Sequence, residues 1–212
     1  MIWNQEVTVN GQVCDDPDAE FDLDQLHYTV KGEAWDYREL SYLMMHKPSH
    51  YECSHKTQHH PTIYSLLPQP LVVRDVQCIG RLDEDTTGLI LISDDGQFIH
   101  RMSSPKHHVP KVYEVTTKHP VTDEMVQRLL AGVVLDDDPK PVKAAACEAV
   151  SELHLKLTLT EGKYHQVKRM VAAVGNRVEG LHRSQIGGLV LNDLAPGQWR
   201  WLTDDDLALL KP

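Results

Sequence analysis

The chain has 212 residues, of which 31 are acidic and 21 are lysine or arginine, so its formal net charge is −10 at pH 7. An apolar fraction of 41% with 25% charged residues is ordinary for a folded protein, and it excludes a disordered chain, a collagen-like repeat or a coiled coil. The acidic balance argues against a protein that coats nucleic acid by bulk charge alone. This length corresponds to one large domain or two small ones.

The cysteines and the N-terminus indicate the cellular compartment. The four cysteines lie far apart and form no C-x-x-C pair, which is typical of a reduced protein without a disulfide framework. The N-terminus lacks the basic and apolar stretches of a signal peptide, and the apolar runs are far shorter than the ~20 residues of a membrane helix. We therefore expect a cytoplasmic protein that does not enter a membrane.

The first thirty residues predict a hairpin, an acidic loop and a short strand. Residues 6–13 alternate in polarity around Asn10-Gly11, which is a strong hairpin signal. Six acidic residues follow in segment 15–24, and residues 27–30 suit a strand. Because an isolated two-stranded ribbon of this size is not stable in water, the hairpin must pack on another element or belong to a larger module.

The remainder of the chain predicts more strands than helices. Strands are predicted at residues 42–46, 88–93, 111–117, 154–160, 178–186 and 189–191, and helices at 62–67, 97–102, 122–132, 165–174 and from 203 onward. Residues 88–93 form a continuous apolar run, which is typical of a strand buried on both faces. Since strands and helices do not alternate regularly, the predicted class is α+β with a mixed, largely antiparallel sheet and flanking helices.

The densest polar cluster, residues 80–88, lies directly before that apolar run. Loops held by a rigid strand often carry catalytic groups, although Asp and Thr here could simply cap a turn. Asp83, Asp85 and Thr87 also fit the D-x-D-x-T pattern of aspartyl-phosphate phosphotransferases, in which two carboxylates hold Mg²⁺. That chemistry needs an uninterrupted parallel strand before the motif, and Gly80 and Arg81 interrupt the preceding run.

The same segment, Gly-Arg-Leu-Asp-x-Asp-Thr-Thr-Gly-Leu, resembles the signature of the pseudouridine synthases of the ribosomal small-subunit type. Further segments agree with this family in order and spacing, and the match extends from about residue 42 to residue 210. These segments are Lys47-Pro48 and residues 111–115, 161–170, 181–183 and 186–188. Within the family, residues 104–108 and 194–197 are most similar to the 16S rRNA enzymes.

The resemblance implies an isomerase that breaks the C–N glycosidic bond of a uridine in RNA, turns the base and joins its C5 to the ribose. Such a reaction needs a carboxylate but neither a redox group nor a metal, so we expect no cofactor. By resemblance, Asp83 is the catalytic aspartate. Tyr113 is the active-site tyrosine, which stacks on the base and helps to move a proton. Lys168 is the basic residue that pairs with the aspartate.

The resemblance also implies contacts with RNA. Arg81 corresponds to the residue that fills the gap when the target nucleotide flips out, a step that costs a few kcal/mol. Other residues predicted to bind RNA are Lys106, His107, His108, Lys111, Lys163, His165, Arg169 and Arg183. The expected partner is 16S rRNA or the assembling small ribosomal subunit, with the protein acting as a monomer. A 23S rRNA site, or an RNA-binding assembly factor with a degenerate site, remains an alternative.

Several of these residues have simpler interpretations. Tyr113 alone could be an ordinary strand aromatic, and Lys168 with Arg169 could be a solvated helix edge. Four residues in one loop could be metal ligands, but their spacing matches no tight tetrahedral template, so we predict no metal site. Those four are Cys53, His55, His59 and His60.

The family resemblance also gives a domain organisation. Members of this branch usually begin with an RNA-binding domain of the ribosomal-protein S4 type, which ends in a hairpin like residues 6–13. We expect residues 1–35 to be the remnant of such a domain with a linker, and residues 36–212 to be the catalytic domain.

The uneven distribution of charge predicts where RNA binds. Segment 162–185 contains five lysine and arginine residues against one glutamate. The acidic residues are concentrated in segments 15–24, 136–138 and 204–206, which hold no predicted site residue. We therefore expect a basic face around Asp83 and an acidic back.

Overall fold

The computed structural model describes residues 1–24, 26–136 and 138–211, and the chain divides into two compact units between Ser41 and Tyr42. Asp137, which belongs to the acidic segment 136–138, lies outside the described residues. The assignment of residues 1–35 to an S4-type remnant stays a prediction.

The first unit is an antiparallel sheet with the strand order β2-β1-β3-β4. Its strands are β1 (Val7–Val9), β2 (Gln12–Val13), β3 (His27–Val30) and β4 (Glu33–Asp36), and a 3₁₀ turn at Ile2–Asn4 precedes them. The predicted hairpin is confirmed: Asn10 and Gly11 turn the chain with φ angles of 47° and 83°, in the left-handed region that these two residues adopt readily. The hairpin does not stand alone, because β1 also pairs with β3.

The second unit contains the remaining elements. Its strands are β5 (Tyr42–Lys47), β6 (Gln77–Ile79), β7 (Thr87–Ser93), β8 (Lys111–Thr117), β9 (Val133–Leu135), β10 (Asp138–Val142), β11 (Ala146–Ser151), β12 (His154–Leu159), β13 (Val178–Ile186), β14 (Leu189–Val190) and β15 (Trp199–Trp201). Its helices are α1 (Gln69–Val72), α2 (Gly96–Ser103), α3 (Asp123–Ala131), α4 (Gln166–Ala173) and α5 (Asp204–Leu209). The helix predicted at 62–67 is a 3₁₀ turn, Ile63–Leu66, and a second such turn is Pro105–His107.

The main sheet of this unit has the order β11-β12-β8-β13-β7-β5-β15, with β14 paired to β13 and β6 paired to β7. The ladders between the described strands are antiparallel apart from β13–β7, which is parallel. Strands β9 and β10 form a separate pair. The predicted class, α+β with a largely antiparallel sheet and flanking helices, is confirmed.

Strand β7 is the rigid base on which the polar loop 80–88 ends. Its residues from Gly88 onward are buried, as expected for a strand covered on both faces. Phe98 and Met102 of helix α2 belong to the same core cluster as Leu89 and Leu91 of β7. Asp95 is the N-cap of this helix, and its carboxylate accepts hydrogen bonds from the amides of Gln97 and Phe98. None of the helices in the described ranges is long and apolar enough to cross a bilayer.

Candidate active site

Loop 80–88 and segment 161–168 form two facing walls of one cleft in the second unit. The residues that line it include Arg81, Asp83, Thr86, Tyr113, Glu161, Lys163, His165 and Lys168. Tyr113 comes from β8 and is mostly buried, whereas Arg81 is exposed. The fold therefore brings together, from three distant parts of the chain, the residues predicted to carry the chemistry.

The carboxylate of Asp83 lies between two basic side chains of the opposite wall. Its Oδ1 is 3.1 Å from Nε2 of His165, and its Oδ2 is 3.0 Å from Nζ of Lys168. The Asp83 side chain keeps 26% of its surface exposed, so it is reachable from the cleft. The ammonium of Lys168 is also 2.7 Å from Oδ1 of Asp85. One cation is thus shared by two carboxylates.

This sharing shifts the pKa values of Lys168 and Asp85. Burial lowers the pKa of Lys168, but the hydrogen bonds to Asp85 and Asp83 outweigh it, so the pKa lies above its usual value. Burial raises the pKa of Asp85, but the hydrogen bond and charge of Lys168 outweigh that effect, and the net shift is downward. Both groups are therefore charged at neutral pH.

The same geometry disfavours the phosphotransferase interpretation of the Asp83–Asp85 pair. That mechanism places a divalent cation between the two carboxylates, at the end of a strand in a parallel sheet. Here the ammonium of Lys168 occupies the position between them, and the strands flanking the loop, β6 and β7, pair antiparallel.

Lys47 holds the loop from beneath. It ends β5, is buried, and its Nζ donates hydrogen bonds to the carbonyl oxygens of Pro48 (3.0 Å), Glu84 (3.0 Å) and Thr86 (2.8 Å). Burial lowers the pKa of Lys47 from its ordinary value. Two of its three acceptors lie within three residues of Asp83, so Lys47 fixes the backbone that presents the carboxylate.

Arg183 has a similar structural role, and its burial disfavours the predicted contact with RNA, which stays a prediction. Its side chain is buried, its Nε donates to the Leu89 carbonyl (2.8 Å), and its Nη2 donates to the Gly80 carbonyl (2.8 Å). With 1% of its surface exposed, Arg183 has no face open to RNA in this structure. It fastens the two ends of the loop to β13.

Gly88 is required where β7 meets β13. Its φ is 113°, and a Cβ atom at this position would lie 2.3 Å from the carbonyl oxygen of Arg183. No side chain fits there without moving one of the two strands.

A buried glutamine organises the opposite wall. The Oε1 of Gln166 accepts a hydrogen bond from the Lys163 amide (2.8 Å), and its Nε2 donates to Oε1 of Glu161 (2.8 Å). His165, with a φ of 48°, precedes α4 and turns its ring toward Asp83. The ring of Tyr164 stacks on it at 3.7 Å and is 75% exposed. Neither Gln166 nor Tyr164 is among the residues predicted from sequence to form the site, although both lie within the matching segment 161–170.

The other residues predicted to bind RNA do not line this cleft, as far as the described residues define it. Lys106, His107 and His108 are exposed on and after the 3₁₀ turn that follows α2. Lys111 is half-buried, its Nζ donates to the Val109 carbonyl (2.9 Å), and burial lowers its pKa. Arg169 lies on α4, and its Nη1 donates to the Tyr164 carbonyl (3.0 Å). Contacts of these residues with RNA stay predictions.

The four residues considered as metal ligands from sequence do not form one cluster among the described side chains. Cys53 is buried, and the ring of His55 stacks on Tyr64 at 3.8 Å. His60 lies instead beside Glu84, with 3.6 Å between Nε2 and Oε2.

Known proteins with similar sequences are pseudouridine synthases. The sequence model of the RNA pseudouridylate synthase family matches residues 41–173. Ribosomal small subunit pseudouridine synthase A of Escherichia coli K12 is 42% identical over 214 residues, covering 98% of this chain and 90% of the relative. The protein of the same name from Pasteurella multocida is 46% identical over 210 residues, with the same shares covered.

Solved structures agree with these matches. One described as the crystal structure of pseudouridylate synthase has a TM-score of 0.77 at 38% identity, covering 99% of this chain and 90% of that one. The structure of an H/ACA ribonucleoprotein bound to a substrate RNA has a TM-score of 0.52 at 13% identity, covering 89% of this chain and 59% of that one, which shows a likeness of fold alone. The chain belongs to the RNA pseudouridylate synthase family.

Proposed function

We propose that this protein converts a uridine of 16S rRNA to pseudouridine, with Asp83 as the catalytic carboxylate. The observation that carries the proposal is the position of the Asp83 carboxylate, exposed to the cleft and held by Lys168 and His165 from the opposite wall. Both relatives described above are named for the small ribosomal subunit, which favours 16S over 23S rRNA as the substrate. In this proposal the protein acts in the cytoplasm.

The reaction is an isomerisation, so the nucleotide keeps its composition although one proton is exchanged with solvent. The bond between N1 and C1′ breaks, the base turns, and a bond forms between C5 and C1′. The C5 proton leaves, and N1 gains a proton. A carboxylate can support this exchange as a nucleophile or by stabilising positive charge at the ribose. Because the pKa of Lys168 is raised, its positive charge beside Asp83 stays constant through the neutral range.

Arg81 and Tyr113 have complementary roles in this proposal. Arg81 is exposed at the cleft, and its planar guanidinium replaces the flipped base in the RNA stack, offsetting part of the few kcal/mol of unstacking. Tyr113 is only 9% exposed and forms part of the cleft wall, where its ring stacks on the flipped uracil. In the same proposal, residues 1–35 belong to an S4-type module, and the protein acts as a monomer.

Tritium release from small-subunit rRNA labelled at C5 of uridine tests the activity, because the new C5–C1′ bond displaces the label. We expect the wild type to release tritium, and Asp83→Asn to lose activity by about 10⁴-fold, the usual scale for removing a catalytic group. Asp193→Asn, at an exposed turn, is the matched control and should keep full activity.

Two results would contradict the proposal. Full tritium release by Asp83→Asn would remove Asp83 from the chemistry. Mapping pseudouridines in rRNA from cells lacking the protein tests the substrate, since loss of a modification in 23S rather than 16S rRNA would show that the target is on the large subunit.

A further inference from the structure

We propose that His50, His60 and Glu84 form a binding site for a transition-metal ion of the Zn²⁺ class. Glu84 directly follows Asp83 in the chain. The three ligand atoms, Nδ1 or Nε2 of each imidazole and a carboxylate oxygen of Glu84, all lie within 4.8 Å of one another. This differs from the expectation that the histidine-rich loop holds no metal. The sequence suggested Cys53, His55 and His59 as partners of His60, whereas the fold brings His60 close to His50 and Glu84.

The separations between the ligand atoms favour a shared ion over direct contact. Nδ1 of His50 is 3.7 Å from Oε2 of Glu84, and Nε2 of His60 is 3.6 Å from the same oxygen. These separations exceed the ~2.7–3.2 Å of a hydrogen bond. Two ligands about 2.0–2.2 Å from a tetrahedral ion are about 3.3–3.5 Å apart. The two separations to Glu84 therefore need to shorten by only a few tenths of an ångström, and the nitrogens of His50 and His60 already lie within 4.8 Å of each other.

The ligand set is selective for metal type. Two imidazoles and one carboxylate are a common set for Zn²⁺ and other borderline cations, whereas Mg²⁺ and Ca²⁺ prefer oxygen ligands throughout. The side chains of His50, His60 and Glu84 are 75%, 35% and 45% exposed. Solvent can therefore reach the ion and supply water as the remaining ligand.

Backbone hydrogen bonds hold the ligands near one another in this structure. The His50 amide donates to the Glu84 carbonyl (2.7 Å), and His50 has a φ of 64°. The Glu52 carboxylate accepts hydrogen bonds from the amides of Gln58, His59 and His60, which closes the loop that carries His60. The two imidazole rings are 5.7 Å apart between centroids. Because the fold already restricts these residues, binding of an ion would cost less conformational entropy than in a flexible chain.

An ion at this site would be a structural clamp on the loop that carries Asp83. The Glu84 carbonyl is already bound by Lys47 and by the amide of His50. Coordination of an ion by the side chains of Glu84, His50 and His60 would add a second connection between Glu84 and the segment 50–60. The ion takes no part in the isomerisation, so the site is independent of the proposed function.

Titration of the metal-free full chain with Zn²⁺, in competition with a chromophoric chelator, tests the proposal. We expect one saturable site in the wild type, and affinity at least tenfold weaker in His60→Gln and in Glu84→Gln. The control is His59→Gln, which alters the adjacent exposed histidine without touching the cluster and should bind like the wild type. Zn²⁺ should raise the Tm of the wild type and of His59→Gln but not that of His60→Gln.

Each outcome of this titration decides the proposal. It is overturned if the wild type shows no saturable binding, if His60→Gln and Glu84→Gln bind as tightly as the wild type, or if His59→Gln loses affinity to the same extent. Should His60→Gln fail to fold, as judged by its Tm without metal, His50→Gln at the most exposed ligand takes its place. Tritium release is measured separately without Zn²⁺, so failure here leaves the proposed function standing.

Discussion

The two walls of the cleft use their basic residues in different ways. Beneath loop 80–88, Lys47 and Arg183 are buried and donate to backbone carbonyls. On segment 161–168, His165 and Lys168 direct their charged or polar atoms at the carboxylate of Asp83. A basic residue near an active site can thus either hold the backbone or face the substrate. Substitutions under the loop should lower stability, whereas those on the opposite wall should change how RNA is bound and converted.

The largest effect on stability is expected for Gly88→Ala. The new methyl group would lie 2.3 Å from the Arg183 carbonyl oxygen at a φ of 113°, so β7 and β13 must separate. We expect a loss of about 3 kcal/mol or more in the free energy of unfolding, measured by urea denaturation. Gly96→Ala is the control, because Gly96 opens α2 and a Cβ there meets nothing within 4 Å. Equal stability of the two variants would contradict a close approach at Gly88.

A smaller loss of stability is expected for Lys47→Met. Methionine keeps the length of the side chain but removes the donor to the carbonyls of Pro48 and Thr86, and it leaves the Glu84 carbonyl with the His50 amide. We expect this change to cost about 2 kcal/mol in the free energy of unfolding. The same change at the exposed Lys156 should alter the free energy of unfolding by no more than about 0.5 kcal/mol. If the two variants were equally stable, Lys47 would not be holding the loop, and the contrast between the walls would fail.

Local patterns predicted much of the fold but not its long-range pairing. The buried run of β7 and the Asn10-Gly11 hairpin carry their signal in adjacent residues. Strand β10 contains two prolines, which are uncommon within strands, and β15 is only three residues long, so neither has a recognisable pattern. Strand β13 lies between β8 and β7, and its parallel pairing with β7 joins residues 95 positions apart, such as His182 and Thr87.

The candidate site was also predictable from sequence only in part. The motif around Asp83 and the positions of Tyr113 and Lys168 could be read from the sequence, and these residues do line one cleft. Arg183 is predicted to bind RNA by the resemblance and as one of the positive charges of segment 162–185, and nothing in the sequence indicates that it is buried. Its acceptors are the carbonyls of Gly80 and Leu89, which every residue type carries, so no pattern of side chains marks them.

On the opposite wall, Tyr164→Ala should weaken RNA binding and leave the fold unchanged. The exposed ring, stacked on His165 beside the cleft, offers a face on which a base can stack, a contact worth about 1–2 kcal/mol. We expect KM for the RNA to rise about tenfold with kcat and Tm nearly unchanged, and Tyr164→Phe to restore KM. A lower Tm with an unchanged KM would instead make Tyr164 a structural residue, like those under the loop.

The smallest effect is expected for Asp85→Asn, which removes one of the two carboxylates that join Lys168 to the loop. The folded-state pKa of Asp85 is lowered, so its ionised form stabilises the protein above the unfolded value of about 3.9, and this contribution is lost as the pH falls through the folded value. Because the side chain is 51% exposed, the variant should be less stable at pH 7 by at most about 1 kcal/mol. The difference should shrink below about pH 4 and at about 1 M salt, in urea denaturation at each condition. A difference that stayed constant with pH and salt would mean that Asp85 acts by packing, and that the walls are joined through Asp83 alone.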